Sequence, residues 1–127
     1  MKSKTIFLAE DEVIIAMDIQ NILSNNGFTN IVLFSNANAL LEEALKTPPD
    51  LLITDIIFGK KDDGVRSAET LWEKYDDIPV LFISGNTSHF SFKNFNPSKC
   101  SFLPKPFSES ELVNQVETLL KRNNVGS

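Results

Sequence analysis

The stretch Leu51-Leu52-Ile53-Thr54-Asp55 is a short apolar run that ends in a carboxylate. Runs of the same apolar, β-type composition recur along the chain at Lys4–Ala9, Ile31–Phe34, Pro79–Ile83 and Ser101–Leu103. The runs around Phe7, Leu52 and Leu81 are continuously apolar, which is typical of central strands that are covered on both faces. We therefore expect five strands, with these three in the middle of the sheet.

Apolar residues at helical spacing separate these runs from one another. The predicted helices are Val13–Asn25, which Asn26-Gly27 terminates, Asn36–Lys46 with Asn36 as its cap, Gly64–Tyr75, and a last helix that opens with the capping box Ser108-Glu109-Ser110-Glu111. Between the last two strands, Asn86–Lys99 contains many turn-forming residues, so we expect only a short or distorted helix there. This alternation predicts a parallel sheet with helices on both faces.

The composition indicates one domain over residues 1–127. With 127 residues and 42% hydrophobic content the chain can bury a core, which we expect at about residues 4–121 with a frayed tail at 122–127. The lone Cys100 is expected to be a small buried hydrophobe in a reducing cytosol. No apolar run approaches the roughly 18 residues of a membrane span, so a cytoplasmic location is expected. A net charge of −5 without clustered cations argues against direct binding to nucleic acid.

Chemically active side chains follow four of the five predicted strands. They are, in strand order, Glu10-Asp11-Glu12, Asp55, Ser84-Gly85 and Lys105-Pro106. Ligands of an open parallel sheet bind outside the carboxyl ends of its strands, where neighbouring loops diverge. We therefore expect these groups to converge at one edge of the sheet.

Each of these residue types has a role in phosphoryl chemistry. Clustered carboxylates repel one another unless a hard cation lies between them, and a site of few protein oxygens plus water suits Mg²⁺. Beside such a cation Asp55 stays ionised and can attack phosphorus, while Lys105 neutralises the phosphoryl oxygens. Ser84 can donate a hydrogen bond to a further oxygen, and Gly85 leaves room for the group beside the backbone.

At these residues the chain resembles the receiver domain of two-component response regulators, over roughly Lys4–Lys121. The matching stretches are Ile6–Glu12, Leu52–Ile56, Asp63-Gly64, Ile78–Gly85 and Phe102–Phe107. The resemblance implies a doubly wound, five-stranded, flavodoxin-like (βα)5 fold with strand order 2-1-3-4-5. It also implies a switch module that is not an enzyme acting on external substrates, because it catalyses only its own phosphorylation and dephosphorylation.

The resemblance implies a metal site. Asp11 and Asp55 would be direct ligands of Mg²⁺, Glu10 a ligand through water, and the Ile57 carbonyl a third protein ligand. Lys105-Pro106, beside this site, would be a cis peptide, which a bond before proline adopts at low cost.

The resemblance also implies a phosphoacceptor set and a switch. Its members would be Asp55 as acceptor, Lys105 and Ser84 as catalytic side chains, Gly85 and Ile56 as phosphate-contacting backbone, and Ser84 with Phe102 as switch residues. The implied partners are a histidine kinase or phosphotransfer protein as donor, and a downstream protein target or a linked output domain. Neither nucleic acid nor a membrane is an expected direct partner.

Three features depart from the commonest family pattern. Ile57 stands two residues after the acceptor, where many family members have a polar side chain that can influence the attacking water. With Ile57 there and Asn86 two residues beyond Ser84, we expect slow hydrolysis of the phosphoryl aspartate. The Asp55–Gly64 loop looks one residue longer than usual and carries Lys60-Lys61-Asp62-Asp63. If Asn86–Lys99 is loose, phosphorylation would order that segment instead of shifting a rigid helix.

Other interpretations stay open on the sequence. The acids Glu10–Glu12 could form an ordinary first helical turn. His89 is expected to be an exposed loop residue, whereas the phenylalanines at 90, 92 and 95 suit either core packing or a partner surface. The domain could act as a phosphorylation-independent scaffold, or as a Mg²⁺-dependent aspartyl phosphatase, although that class wants a second acid where this chain has Ile57. Both a stand-alone regulator and a piece of a longer one fit.

Overall fold

The structure is a computed structural model that describes residues 3–57, 63–85 and 99–124. Its strands are β1 (Ile6–Ala9), β2 (Ile31–Phe34), β3 (Leu51–Asp55), β4 (Val80–Ser84) and β5 (Cys100–Pro104). Its helices, within the described ranges, are α1 (Val13–Asn25), α2 (Ala37–Lys46), α3 (Asp63–Lys74) and α4 (Glu109–Asn124). The predicted elements are therefore present wherever the chain is described.

The five strands form one parallel sheet in the order β2-β1-β3-β4-β5. Ile6 of β1 lies opposite Ile31 on one side and Leu51 on the other, which fixes the register of the first three strands. The continuously apolar strands β1, β3 and β4 are central, as predicted. The doubly wound, flavodoxin-like architecture and its strand order are confirmed.

Alternate side chains of the central strands enter two separate cores. On β1, Ile6 and Leu8 enter the core that α1 and α4 cover, whereas Phe7 and Ala9 enter the core that α2 and α3 cover. Successive residues of a strand point to opposite faces, so a strand with helices on both sides must be apolar at every position. This is why the central strands carry no alternating polar residues.

The predicted helix ends are confirmed by their hydrogen bonds. The Asn36 side chain accepts a bond of 2.8 Å from the Ala39 N–H at the start of α2. At the start of α4, the Ser108 N–H donates to the Glu111 carboxylate at 2.9 Å, and the Glu111 N–H donates to the Ser108 hydroxyl at 3.1 Å. Such reciprocal bonds satisfy amides that a helix leaves without partners at its first turn. After α1, Gly27 has a φ of 93°, a left-handed conformation that glycine adopts without strain.

One boundary differs from the prediction. The tail was expected to fray from residue 122, but α4 continues to Asn124. The residues Arg122, Asn123 and Asn124 include no helix breaker, and the first glycine comes only at Gly126, so the last helical turn can close. Residues 125–127 lie outside the described part of the chain.

Several other expectations concern residues that the structure does not describe. They are the distorted helix between β4 and β5, apart from its last residue Lys99, the loop residues 58–62, and the side chains of His89, Phe90, Phe92 and Phe95. Cys100 lies within the described part and is buried, as expected. Of the helices in residues 3–57, 63–85 and 99–124, none has both the length and the apolar character that crossing a bilayer requires.

Candidate functional site

An ion-pair cluster lies where the carboxyl ends of β1, β3 and β5 meet. The Lys105 Nζ lies 2.8 Å from the Asp55 Oδ2 and 3.4 Å from the Glu10 Oε1. In the sequence Lys105 lies 50 residues from Asp55 and 95 residues from Glu10. The parallel strands bring the three side chains to one edge of the sheet. The expected convergence of the first acidic loop, the third strand and Lys105 is therefore present.

Glu10 is the most deeply buried acid of this cluster, with only 5% of the residue exposed. Burial raises the pKa of Glu10 to about 7. The hydrogen bond from the Glu12 N–H lowers this pKa, the nearby charge of Asp55 raises it, and Lys105 lowers it again. The Glu10 carboxyl therefore titrates near neutral pH. A cation placed beside it would favour its charged form.

Lys105 responds to the same surroundings in the opposite direction. Burial lowers the pKa of the Lys105 ammonium, but the hydrogen bond to Asp55 and the charges of Asp55 and Glu10 outweigh burial and raise it. The ammonium therefore stays charged at physiological pH. The backbone N–H of Lys105 donates to the Ser84 carbonyl at 2.7 Å, and this bond ties Lys105 to the end of β4.

The main chain around Asp55 is held from several sides. The Ile57 N–H donates to the Asp55 Oδ1 at 3.0 Å, and the Thr54 hydroxyl donates to the Asp55 carbonyl at 3.0 Å. Gly64, in the first turn of α3, lies so close that a Cβ built on it would be 1.9 Å from the Asp55 carbonyl oxygen and 2.8 Å from that of Ile56. Only glycine allows α3 to begin directly against the last residue of β3 and the residue after it.

These contacts around Asp55 were not foreseen. The sequence showed Gly64 only as part of a matching Asp-Gly pair, and nothing in the local pattern reveals which carbonyl lies beneath it. The bonds made by Thr54 and by the Ile57 amide likewise depend on the bend of the chain after β3.

The expected role of Ile56 requires a correction. Its backbone was predicted to contact the phosphate, but the Ile56 N–H donates to the Ile83 carbonyl at 3.0 Å as part of the sheet. An amide used in this way is not available to a ligand. The next amide along the chain, the Ile57 N–H, donates instead to the Asp55 Oδ1 at 3.0 Å.

The other predicted residues lie around the same edge. Ser84 is buried at the end of β4, and Gly85 follows it with open space, since a Cβ there would meet only the Lys105 Cδ at 3.9 Å. Phe102 of β5 is half-buried and stacks on Phe82, with ring centroids 5.4 Å apart and planes 20° apart. The Lys105-Pro106 peptide is cis, as predicted.

The acids of this edge do not all come together. Among the described residues no three Asp, Glu, His or Cys side chains lie close enough to hold a metal ion as a ready cluster. Glu10 and Asp55 share Lys105, whereas Asp11 is exposed beside them. The donor set nevertheless fits Mg²⁺, which takes one or two carboxylates and completes its octahedron with water.

The fold and this edge define a receiver-type module, and the comparisons with known proteins agree. The sequence matches the response regulator receiver domain family over residues 6–117. The chain belongs to that family.

Individual members of this family are similar to this chain in sequence and in structure. The response regulator receiver protein CpdR of Brucella abortus is 30% identical, and the match covers 92% of this chain and 97% of that protein. The transcriptional regulatory protein CreB of Escherichia coli is also 30% identical, over 96% of this chain and 53% of that protein. The crystal structure of a response regulator receiver protein from Sinorhizobium medicae superposes with a TM-score of 0.84 at 30% identity, covering 95% of this chain and 97% of that one. This chain therefore spans about half the length of CreB but nearly all of CpdR.

The contact of Gly64 with the Asp55 carbonyl predicts a strong effect of one added methyl group. We expect Gly64→Ala to lower the free energy of unfolding by about 1–3 kcal/mol, because the main chain of β3 or of α3 must move. Gly85→Ala is the matched control, since its Cβ has room, and it should change stability by less than about 0.5 kcal/mol. Urea unfolding of both variants measures the difference, and equal losses would contradict the packing role.

The buried Glu10 carboxyl predicts a pH dependence of stability. The folded chain holds this proton more tightly than the unfolded chain, so without divalent cations stability should fall as the pH rises from 4.5 through about 7. We expect a loss on the order of 1–3 kcal/mol across this window. Glu10→Gln should remove that loss, and the exposed neighbour Glu12→Gln should retain it. Denaturant unfolding in EDTA between pH 5 and pH 8 measures both; an unchanged slope in Glu10→Gln would contradict the assignment.

Proposed function

We propose that this domain is the phosphoacceptor of a two-component phosphorelay, with Asp55 accepting a phosphoryl group from a phosphohistidine. The observation that carries this proposal is the Lys105 ammonium 2.8 Å from the Asp55 carboxylate, beside the buried Glu10, in a chain that belongs to the receiver family. A nucleophilic carboxylate, a fixed cation and a second acid at one sheet edge are the parts that phosphoryl transfer requires.

Asp55 would act as the nucleophile in an in-line displacement. A carboxylate oxygen forms a bond to phosphorus, while the bond from phosphorus to the donor imidazole nitrogen breaks and the leaving group departs on the opposite side. The Ile57 N–H, already bonded to the Asp55 Oδ1, holds the carboxylate in orientation. Lys105 moves its bond from the carboxylate to the transferred group and offsets its charge.

Mg²⁺ is the proposed cofactor of this step. Asp11 and Asp55 would bind it directly, Glu10 through water, and the carbonyl of the exposed Ile57 would complete the protein ligands. When bound, the cation supplies positive charge next to the phosphoryl oxygens. The buried Glu10 would then stay ionised in spite of its raised pKa.

Ser84 and Phe102 are the proposed switch. Ser84 lies at the end of β4 beside Lys105, where its hydroxyl would donate to the phosphoryl group, and the Gly85 amide would donate to the same group. Phe102 stacks on Phe82 in the adjoining core, so a shift at the end of β4 would repack this aromatic pair. The switch thus links the site to side chains of β5.

The donor is proposed to dock on α1. Val13, Ile14 and Met17 are 68%, 84% and 54% exposed, although all three are apolar. They occupy the first turns of α1, directly after the acidic loop that carries Glu10. An exposed apolar patch beside a site is typical of a protein interface, and here a histidine kinase or phosphotransfer protein would present its phosphohistidine. A downstream protein or a linked output domain would respond in the cytoplasm.

Phosphorylation by a small donor tests the proposal. Incubation with acetyl phosphate and Mg²⁺ should add the mass of one phosphoryl group to the wild-type chain, and chelation of Mg²⁺ should prevent this addition. Asp55→Asn should add nothing, and Asp50→Asn, which alters another described aspartate, should behave as the wild type. Intact-mass spectrometry gives the result. No addition to the wild type would favour the scaffold interpretation, and addition to Asp55→Asn would assign another acceptor.

The lifetime of the phosphoryl group tests a finer point. Ile57 is 45% exposed, and its apolar side chain cannot hydrogen-bond a water that attacks phosphorus. We expect the wild-type phosphoryl aspartate to outlast a scale of seconds, and Ile57→Asn to hydrolyse faster, by about threefold or more, because a polar side chain can orient that water. Decay of the phosphorylated mass in Mg²⁺ measures both rates, with Ile57→Val as control. A wild-type lifetime of seconds would reject the expectation.

A further inference from the structure

A groove of about 760 Å³ lies between α2 and α3, on the face of the sheet opposite to α1 and α4. We call it the α2–α3 groove. Its α2 wall consists of Asn36, Ala37, Asn38 and Leu41, and its α3 wall of Asp63, Arg66, Ser67, Glu69, Thr70 and Glu73. None of these residues belongs to the phosphoacceptor set.

The two helices that form the groove are tied together at their C-terminal ends. The Lys74 Nζ and the Tyr75 hydroxyl both donate to the Leu45 carbonyl, each at 3.0 Å. Beneath the helices, Leu40 and Ala68 are fully buried in the common core. The walls are therefore held in place from two sides, and the groove does not need a ligand in order to form.

Ser67, on the α3 wall, is a buried polar residue whose hydroxyl lacks a hydrogen bond in the described part of the chain. It is only 1% exposed, and its hydroxyl has no hydrogen-bond partner among the described residues. A buried hydroxyl without a partner costs stability, and alanine would fill the same helical position without that cost. A polar group of a ligand in the groove would supply the missing bond.

The charges of the groove favour a cation. Among the described residues, its walls carry three carboxylates, of Asp63, Glu69 and Glu73, against the guanidinium of Arg66. Glu69 and Glu73 are four positions apart on α3 and so lie on the same side of the helix. Leu41 on the facing helix provides apolar surface of the kind that covers the aliphatic stem of a lysine or arginine.

We propose that the α2–α3 groove binds a short basic segment of a partner protein. A lysine or arginine of that segment pairs with Glu69 and Glu73 and lays its stem against Leu41, and a polar group of the same segment bonds the Ser67 hydroxyl. Nucleic acid and acidic peptides are repelled by the same carboxylates. This binding is independent of phosphoryl transfer at Asp55.

A peptide titration tests the proposal on the full chain. The probe is a blocked peptide of alternating Arg and Gly residues, and the comparison is a peptide of equal length with Glu in place of Arg. In ¹⁵N-resolved NMR spectra we expect the Arg peptide to cause saturable shifts at residues 36–41 and 63–73, and the Glu peptide to cause none. Shifts that do not saturate, that centre on other elements, or that both peptides produce would overturn it.

Charge variants separate the groove from the general negative field of the protein. Glu69→Gln with Glu73→Gln should weaken binding of the Arg peptide by about fivefold or more. Asp76→Asn with Asp77→Asn changes the net charge equally outside the groove, and it should weaken binding by less than about twofold. Equal effects of the two double variants would show that only overall charge matters, and would reject the site.

Ser67→Ala provides a readout that a purely structural serine would not give. Removing the unpartnered hydroxyl should raise the thermal midpoint of the free chain and at the same time weaken binding of the Arg peptide by about twofold to fivefold. These opposite directions are expected only if the hydroxyl serves a ligand. A lower thermal midpoint, or an unchanged affinity, would contradict the role of Ser67.

Discussion

The Lys105 ammonium lies between two carboxylates that reach it from opposite parts of the chain, and the remaining features of the site depend on this contact. Burial raises the pKa of Glu10 to about 7, and the nearby Lys105 ammonium favours its ionised form. The Asp55 Oδ2 pairs with the same ammonium at 2.8 Å. The ion pairs join the ends of β1, β3 and β5, and the bond from the Lys105 N–H to the Ser84 carbonyl adds the end of β4.

The backbone supports this arrangement at Gly64, where a side chain would collide with the main chain of Asp55. Gly64 allows the first turn of α3 to lie against the Asp55 carbonyl, and the Thr54 hydroxyl bonds the same oxygen. The main chain of residues 55–57 therefore follows a path that is set by the start of α3. This path places the Ile57 amide on the Asp55 carboxylate and uses the Ile56 amide in the sheet.

The two faces of the sheet support different surfaces. The face covered by α1 and α4 presents exposed apolar residues next to the acidic loop, whereas the face covered by α2 and α3 presents a polar groove with an excess of carboxylates. A doubly wound sheet thus gives one small domain two chemically distinct surfaces besides its edge. An apolar patch and an acidic groove select partners of different chemistry, so the two surfaces need not compete.

The sequence by itself determined the three central strands, the helix caps and the set of residues at the sheet edge, because apolar strand runs, capping boxes and strand-end acids are local patterns. The full strand order was implied only by the family resemblance, and the tertiary structure shows it. The sequence did not determine that Ile56 and Ile57 divide their amides between the sheet and Asp55, or that Asp11 is exposed while Glu10 is buried. These outcomes depend on how α3 packs against β3 and how deeply each acid lies beside β5. Packing depth and carbonyl direction arise from contacts between distant segments, so only the tertiary structure decided them.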